Sequence, residues 1–171
     1  QPGERLQHIG TAFKDPLHSL GAIGSFLADY AKRTVKKPEF HDVPAVLTRH
    51  ANRVAGLIHD FSLAVDRALL KHGKKIMEKQ FLQERMADVA IDIYVSVAVL
   101  SRTTWEIERF GGPEHTLAET ECARVFLNEA YRRARRNIKQ IHVHQDSRLK
   151  AVAEQALDRN DAAPRSPWEF Q

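Results

Sequence analysis

Residues 86–102 read Met86-Ala-Asp-Val-Ala-Ile-Asp-Ile-Tyr-Val-Ser-Val-Ala-Val-Leu-Ser-Arg102, and they fit two opposite secondary structures. Val89, Ile91, Ile93, Val95, Val97 and Val99 alternate with Ala90, Asp92, Tyr94, Ser96 and Ala98. That is strand periodicity, carried by β-branched residues that suit strands. The same stretch also continues a helical step through Leu82, Met86, Val89, Ile93, Val97 and Leu100. The flanks decide. No turn signal separates the stretch from the helix formers at Glu78–Arg85 or from Thr103–Arg109, and no Gly or Pro falls between Lys74 and Phe110. Strands run about 3–10 residues, so the unbroken segment is a helix. Being apolar all round apart from Asp88 and Asp92, it is expected to be the buried central helix of a bundle.

The same punctuation divides the rest of the chain. Between Pro44 and Gly73 the only breaker is Gly56, and Leu47, Ala51, Val54, Ile58, Phe61, Val65 and Ala68 step by four and three along one face. Pro44 suits a first helical turn behind Asp42 as a cap, and Gly73 suits the stop. Gly111-Gly112-Pro113 ends the central segment. A third run, Pro113 to about Ile141, carries Leu117, Cys122, Val125, Phe126, Ile138 and Ile141. A fourth, about Asp146 to Arg159, carries Leu149, Val152, Ala156 and Leu157. The expected fold is all-α: an antiparallel, up-down four-helix bundle over residues 44–160. One or two amphipathic helices within a linker, residues 1–43, precede it, and a tail, residues 161–171, follows it.

Composition removes several classes of function. The chain has 171 residues with 26 Lys and Arg against 22 Asp and Glu, and one cysteine. It is long enough for one core, its apolar content is too high for general disorder, and a lone thiol cannot staple it. The longest stretch free of Asp, Glu, Lys and Arg is Pro16–Ala28, short of the roughly 18 apolar residues a spanning helix needs. Gln1-Pro2-Gly3-Glu4 lacks a basic start and an apolar run, so no secretory signal is expected there. The absence of an initial methionine suggests a fragment or a processed product. The net charge of +4 is a mild invitation to an anionic partner.

The most informative local pattern is Leu17–Lys36. At helical spacing Leu20, Ile23, Phe26, Leu27 and Tyr30 share one side, while His18, Ser25, Asp29, Lys32, Arg33 and Lys36 share the other. Lys32, Arg33, Lys36 and Lys37 make the last turn basic, which complements a helix C-terminus. Such a helix either lies in an anionic membrane interface or on a protein partner, or covers a core with its charged side solvated. Gly21 and Gly24 weaken it and tie its folding to docking.

Other clusters read as structural. Arg132, Arg133, Arg135, Arg136 and Lys139 spread around a helix with only Tyr131 among them. Solvated surface is the simplest role, phosphate or acidic-lipid contact the next, and nucleic acid is not expected. Asp88 and Asp92, one turn apart, resemble an acid–base or metal pair. However, no Glu here has a His three residues on, as di-iron bundles require. Arg85, three residues before Asp88, makes a structural ion pair with Asp88 and Asp92 the expectation, with Arg102 a further basic group on that helix. His142-x-His144 lacks acidic or Cys neighbours at zinc spacing, and Cys122 is expected in the core. No catalytic constellation is present, and neither a metal site nor a bound cofactor is expected in this chain.

The run His72-Gly-Lys-Lys-Ile-Met-Glu-Lys-Gln-Phe-Leu-Gln-Glu-Arg-Met-Ala-Asp-Val-Ala-Ile-Asp-Ile-Tyr94, continuing to Val99-Leu-Ser-Arg102, resembles the C-terminal extension of very-long-chain acyl-CoA dehydrogenases. It is also similar to the family's complex I assembly member. The clear likeness covers about residues 65–104. A looser one reaches Phe13-Lys-Asp-Pro16 and Ser166-Pro-Trp-Glu-Phe170. The resemblance implies a non-catalytic helical domain behind a flavoenzyme core that holds the FAD, the catalytic glutamate and the desaturation of long acyl-CoA thioesters in fatty acid β-oxidation. No catalytic residue carries over to these positions. It further implies membrane attachment through Leu17–Pro44, a homodimeric parent, and in the assembly member a protein-docking surface without lipid binding. The expected location is the matrix side of the mitochondrial inner membrane in a eukaryote, or the cytoplasmic membrane surface in a bacterium.

Overall fold

A computed structural model describes residues 37–159. The stretches expected to form the amphipathic segment through Lys36 and the C-terminal tail lie outside the described residues. Among the described residues every regular element is helical. The four α-helices are α1 (Thr48–His72), α2 (Gln80–Arg109), α3 (Leu117–His142) and α4 (Asp146–Asp158). Short 3-10 segments, Gly73–Glu78 and Pro113–His115, join the first three.

The start of α1 differs from the capped entry expected at Asp42. Asp42 sits in the left-handed region at φ 57°, which a short polar residue tolerates in a turn. The entry is instead a turn in which the Leu47 N–H donates to the Pro44 carbonyl at 2.8 Å, backed by the Thr48 hydroxyl donating to the same oxygen at 3.3 Å. The far end follows expectation. Gly73 takes φ 51° and its N–H donates to Leu69 O, closing the last turn at a conformation that favours glycine.

The 86–102 stretch is helical, within the 30-residue α2. Burial selects every third or fourth position: Leu82, Val89, Asp92, Ser96, Leu100, Thr103 and Ile107 face inward. The alternating β-branched set is therefore split, with Val89 buried, Ile93, Val95, Val97 and Val99 half-buried, and Ile91 exposed. Among the described residues only one side of α2 is covered, contrary to the expectation of a fully buried central helix. The helix that shares the broadest contacts is α3, which packs most extensively against α2 and next against α1.

Cross-helix bonds give the directions. Arg53 pairs with Asn128 and Asp60 with Arg135, so contacts advance together along α1 and α3, which run parallel. Asp88 pairs with Asn137 and Asp92 with Arg133, so α2 runs opposite to α3. The core between these three holds Leu47, Ala51, Val54, Leu100, Ile107 and Leu127 at one end. Leu57, Val89 and Ala134 lie in the middle, and Ala64, Ala68, Leu82 and Ile141 at the other end. The large apolar residues expected to define α3's face are partly displaced from it. Leu117 and Val125 are exposed, whereas Ala123, Leu127, Ala130, Ala134 and Ile141 are buried. Small residues there let three helices approach closely.

The fourth expected helix forms but does not join the core. No residue of α4 is buried, and Leu149, Val152 and Leu157 are exposed. Among the described residues, the core is a three-helix assembly with α4 attached at its edge.

Candidate functional site

Three features of the surface stand out: the outer side of α2, an ion-pair ladder between helices, and a basic groove between α1 and α3.

On α2, Ile91 is 59% exposed, Tyr94 75% and Trp105 44%, and the alanines at 87, 90 and 98 are exposed beside them. At three- and four-residue spacing these positions share one side of the helix. Trp105 lies between two cations, the Arg102 guanidinium 4.8 Å and the Arg109 guanidinium 5.0 Å from its ring centroid. Met77, before the helix, and Phe81, at its start, are also exposed. Aromatic anchors with arginines beside them are the residue types that carry buried contacts at protein interfaces.

Arg85, Asp88 and Asp92 do not pair with one another as expected. Arg85 donates from both terminal guanidinium nitrogens to Asp146, at 2.8 and 2.5 Å. That bond holds the Asp146 carboxyl below its ordinary pKa, while raising that of Arg85. Asp92 accepts from Arg133 at 2.6 Å, and Asp88 from the Asn137 amide at 3.4 Å. Both aspartates point across to α3 rather than back along α2, so they set the register between helices. Arg102, the other expected basic neighbour, pairs with Glu106 one turn on. Among the described residues no group of His, Cys, Asp and Glu could hold a metal ion. His144 instead lies 3.1 Å from Asp146. Cys122 is exposed rather than in the core, because α3 turns its alanine side inward.

The basic run of α3 is divided among different tasks. Arg132 pairs with Glu129 on its own helix, Arg133 with Asp92, and Arg135 with Asp60. Arg136 and Lys139 line a groove of about 500 Å³ between α1 and α3, opposite Arg67. Farther along, a second groove of about 560 Å³ is lined by Arg49, Arg53, Arg124 and Arg132 around His50. His50 is buried, with Nδ1 unpartnered, and burial followed by the charges of Arg124, Arg53 and Arg49 lowers its pKa. Residue spacing along the sequence did not reveal these grooves. They arise because α1 and α3 run parallel and bring separate arginines side by side.

Of the expected membrane- or partner-facing residues, Leu20, Ile23, Phe26, Leu27, Tyr30, Lys32, Arg33 and Lys36 lie outside the described residues. Lys37 is exposed at the entry to the loop before α1. Among the described residues no helix is long and apolar enough to cross a membrane.

Comparison with known proteins extends the likeness beyond the segment that suggested it. Residues 45–162 match the family described as the ACAD9/ACADV C-terminal domain. The chain is 31% identical over 131 residues to the very long-chain specific acyl-CoA dehydrogenase, mitochondrial, of Homo sapiens, covering 70% of this chain and 19% of that protein. The Bos taurus protein of the same name is 27% identical over 184 residues, covering 98% of this chain and 27% of the relative. The Rattus norvegicus protein is 32% identical over 109 residues, 60% of this chain and 16% of the relative. The chain thus spans about a quarter or less of the length of these relatives.

Proposed function

The chain belongs to the ACAD9/ACADV C-terminal domain family, and from that premise we propose that it is the non-catalytic helical domain of a very-long-chain acyl-CoA dehydrogenase. The parent is an FAD-dependent oxidoreductase that desaturates long acyl-CoA thioesters in fatty acid β-oxidation. The described residues do not suit a flavin. Both grooves are open and rimmed by guanidinium groups, with no enclosed slot for a flat ring system. In this reading FAD belongs to the dehydrogenase core, and no catalytic step is assigned to this chain.

The observation that carries the reading is the exposed side of α2. Ile91, Tyr94 and Trp105 form an aromatic and aliphatic surface on a helix whose other side is already packed. A dehydrogenase core that accounts for most of the relatives' length is the natural cover for it, and covering it stabilises the parent and its homodimer. Replacing Ile91, Tyr94 and Trp105 together with Ser tests this. The isolated chain should lose only the modest contribution of the Trp105 contacts with Arg102 and Arg109, whereas the full dehydrogenase should lose substantially more heat stability, and its dimer. Equal melting of the full enzyme and its variant would refute the docking role.

Membrane attachment is assigned to the segment before α1. Leu20, Ile23, Phe26, Leu27 and Tyr30 would enter the interface, with Lys32, Arg33, Lys36 and Lys37 over anionic headgroups. The relatives' names place them in mitochondria. The matching location is the matrix face of the inner membrane, or the cytoplasmic membrane surface for a bacterial parent. Flotation with anionic vesicles, weakened by salt and abolished by Ser at Leu20, Ile23, Phe26 and Leu27, is the expected result. Flotation unaffected by those changes would refute the assignment to this segment, and no flotation with any vesicle would leave the alternative, a protein-docking module without lipid binding, which the apolar side of α2 also favours.

A further inference from the structure

The groove at the C-terminal ends of α1 and α3 carries more positive charge than its own acid neutralises. Arg67, Arg135, Arg136 and Lys139 rim it. Its one acid, Asp60, already pairs with Arg135 at 3.1 Å. Among the described residues no side-chain hydrogen bond, ion pair or ring contact engages Arg67, Arg136 or Lys139. His142 closes one end, and its Nε2 is buried with no partner. Leu63, Ala64 and Ile138 supply an apolar floor beneath the cations.

We propose that this groove is a binding site for a phosphate-class anion, either a soluble phosphate ester or the headgroup of an acidic lipid. Three uncommitted cations exceed what one carboxylate matches, whereas a phosphate carries more charge on oxygens that guanidinium groups bind in pairs. His142 Nε2 supplies the kind of buried polar atom that a bound ligand satisfies. The apolar floor seats the carbon part of an ester against Leu63 and Ile138. Like charges from Arg67, Arg136 and Lys139 converging on one groove are unfavourable without a counter-charge, which an anion removes. The site is independent of residues 17–36 and of the dehydrogenase reading, since it is built from α1 and α3 alone.

The test uses the whole chain at constant ionic strength, with glycerol phosphate as the soluble probe and phosphatidic acid vesicles, against phosphatidylcholine vesicles, as the lipid probe. The variant is Arg67→Glu with Arg136→Glu, both at exposed positions. A charge-matched control carries Arg148→Glu with Lys150→Glu on α4. Side-chain NMR should show glycerol phosphate shifting the His142 ring nitrogens. The double variant should bind roughly ten-fold or more weakly, and the control should bind as the parent does. A soluble ligand is indicated if only the glycerol phosphate arm responds. A lipid headgroup is indicated if vesicle binding falls with Arg67→Glu/Arg136→Glu and persists when Leu20, Ile23, Phe26 and Leu27 are Ser. If the double variant and the control cannot be told apart with either probe, the site does not exist.

Discussion

Removing the Arg85 guanidinium should release α4 without unfolding the core. α4 has 13 residues and buries none of them. Isolated helices shorter than about 12–15 residues are marginal in water, so its order depends on what ties it down. The tie is at its first residue: Asp146 accepts two bonds from Arg85 at 2.8 and 2.5 Å, and both side chains are only 16% exposed. Hydrogen bonds to a charged group contribute about 1.5–3 kcal/mol, and burial spares this pair most solvent screening. The pair at Lys150 and Glu154, 3.8 Å apart and exposed, adds little. Taking about 2 kcal/mol for the latch, its loss should raise the opening of α4 roughly 30-fold.

Arg85→Met is the cleanest perturbation, because it keeps the aliphatic stem and leaves Asp146 at the N-terminal end of α4, where its charge is favourable. Amide exchange between Leu149 and Leu157 should accelerate by about 10–100-fold. Amides of Leu57, Val89 and Ala134 in the core should hardly change. Acid should reproduce the effect in the unaltered chain. The Arg85 bond is the main cause depressing the Asp146 pKa, opposed by burial and helped by the charges of His144, Arg85 and Lys79. Because the folded value lies below the ordinary 3.8, the latch is complete above pH 3.8 and is lost as pH falls through the lower folded value. Unchanged α4 exchange in Arg85→Met, after correction for intrinsic rates, would refute the reasoning.

Four further outcomes are expected. Leu57, 1% exposed in the middle of the core, should cost about 2–5 kcal/mol as Leu57→Ala, read as a lower urea midpoint with an unchanged slope. Gly56 lies within α1 with nothing within 4 Å of an added Cβ, so Gly56→Ala should raise stability by about 0.5–1 kcal/mol and lift Tm. Ala134 is fully buried between helices, and Ala134→Leu should destabilise by about 1–3 kcal/mol through overpacking, also seen in urea. Cys122 is exposed, so an aromatic disulfide reagent should titrate one thiol in the native chain as completely as in the denatured one.

Helix existence was legible because breakers punctuate the chain where helices end. Gly73 takes the positive φ expected of a stop, and Gly111 and Gly112 do the same between α2 and α3. Even the alternating Val and Ile stretch resolved correctly, since continuity with its flanks outweighs local β-propensity. What spacing did not give is which side of each helix wins. On α3 the eye goes to Leu117, Cys122 and Val125, all exposed, and passes over Ala123, Ala130 and Ala134, which are buried. Burial there is chosen by how closely backbones approach, and an alanine contributes to that while contributing little to a hydrophobic stripe.

The surfaces were hidden for a related reason. Pairing Arg85 with Asp88 is the local solution along one helix, yet Arg85 reaches Asp146 and Asp92 reaches Arg133, 61 and 41 residues away. Local pairs of that kind are worth only a few tenths of a kcal/mol at an exposed site, so a partner on another helix that is better shielded from water wins. The apolar outer side of α2 follows the same logic in reverse. A helix apolar all round was expected to be surrounded, and among the described residues it is not: Ile91, Tyr94 and Trp105 remain exposed while α4, the expected fourth member of the bundle, buries nothing. In the reading proposed above, that mismatch between the apolar character of α2 and its coverage marks the surface that the parent dehydrogenase covers.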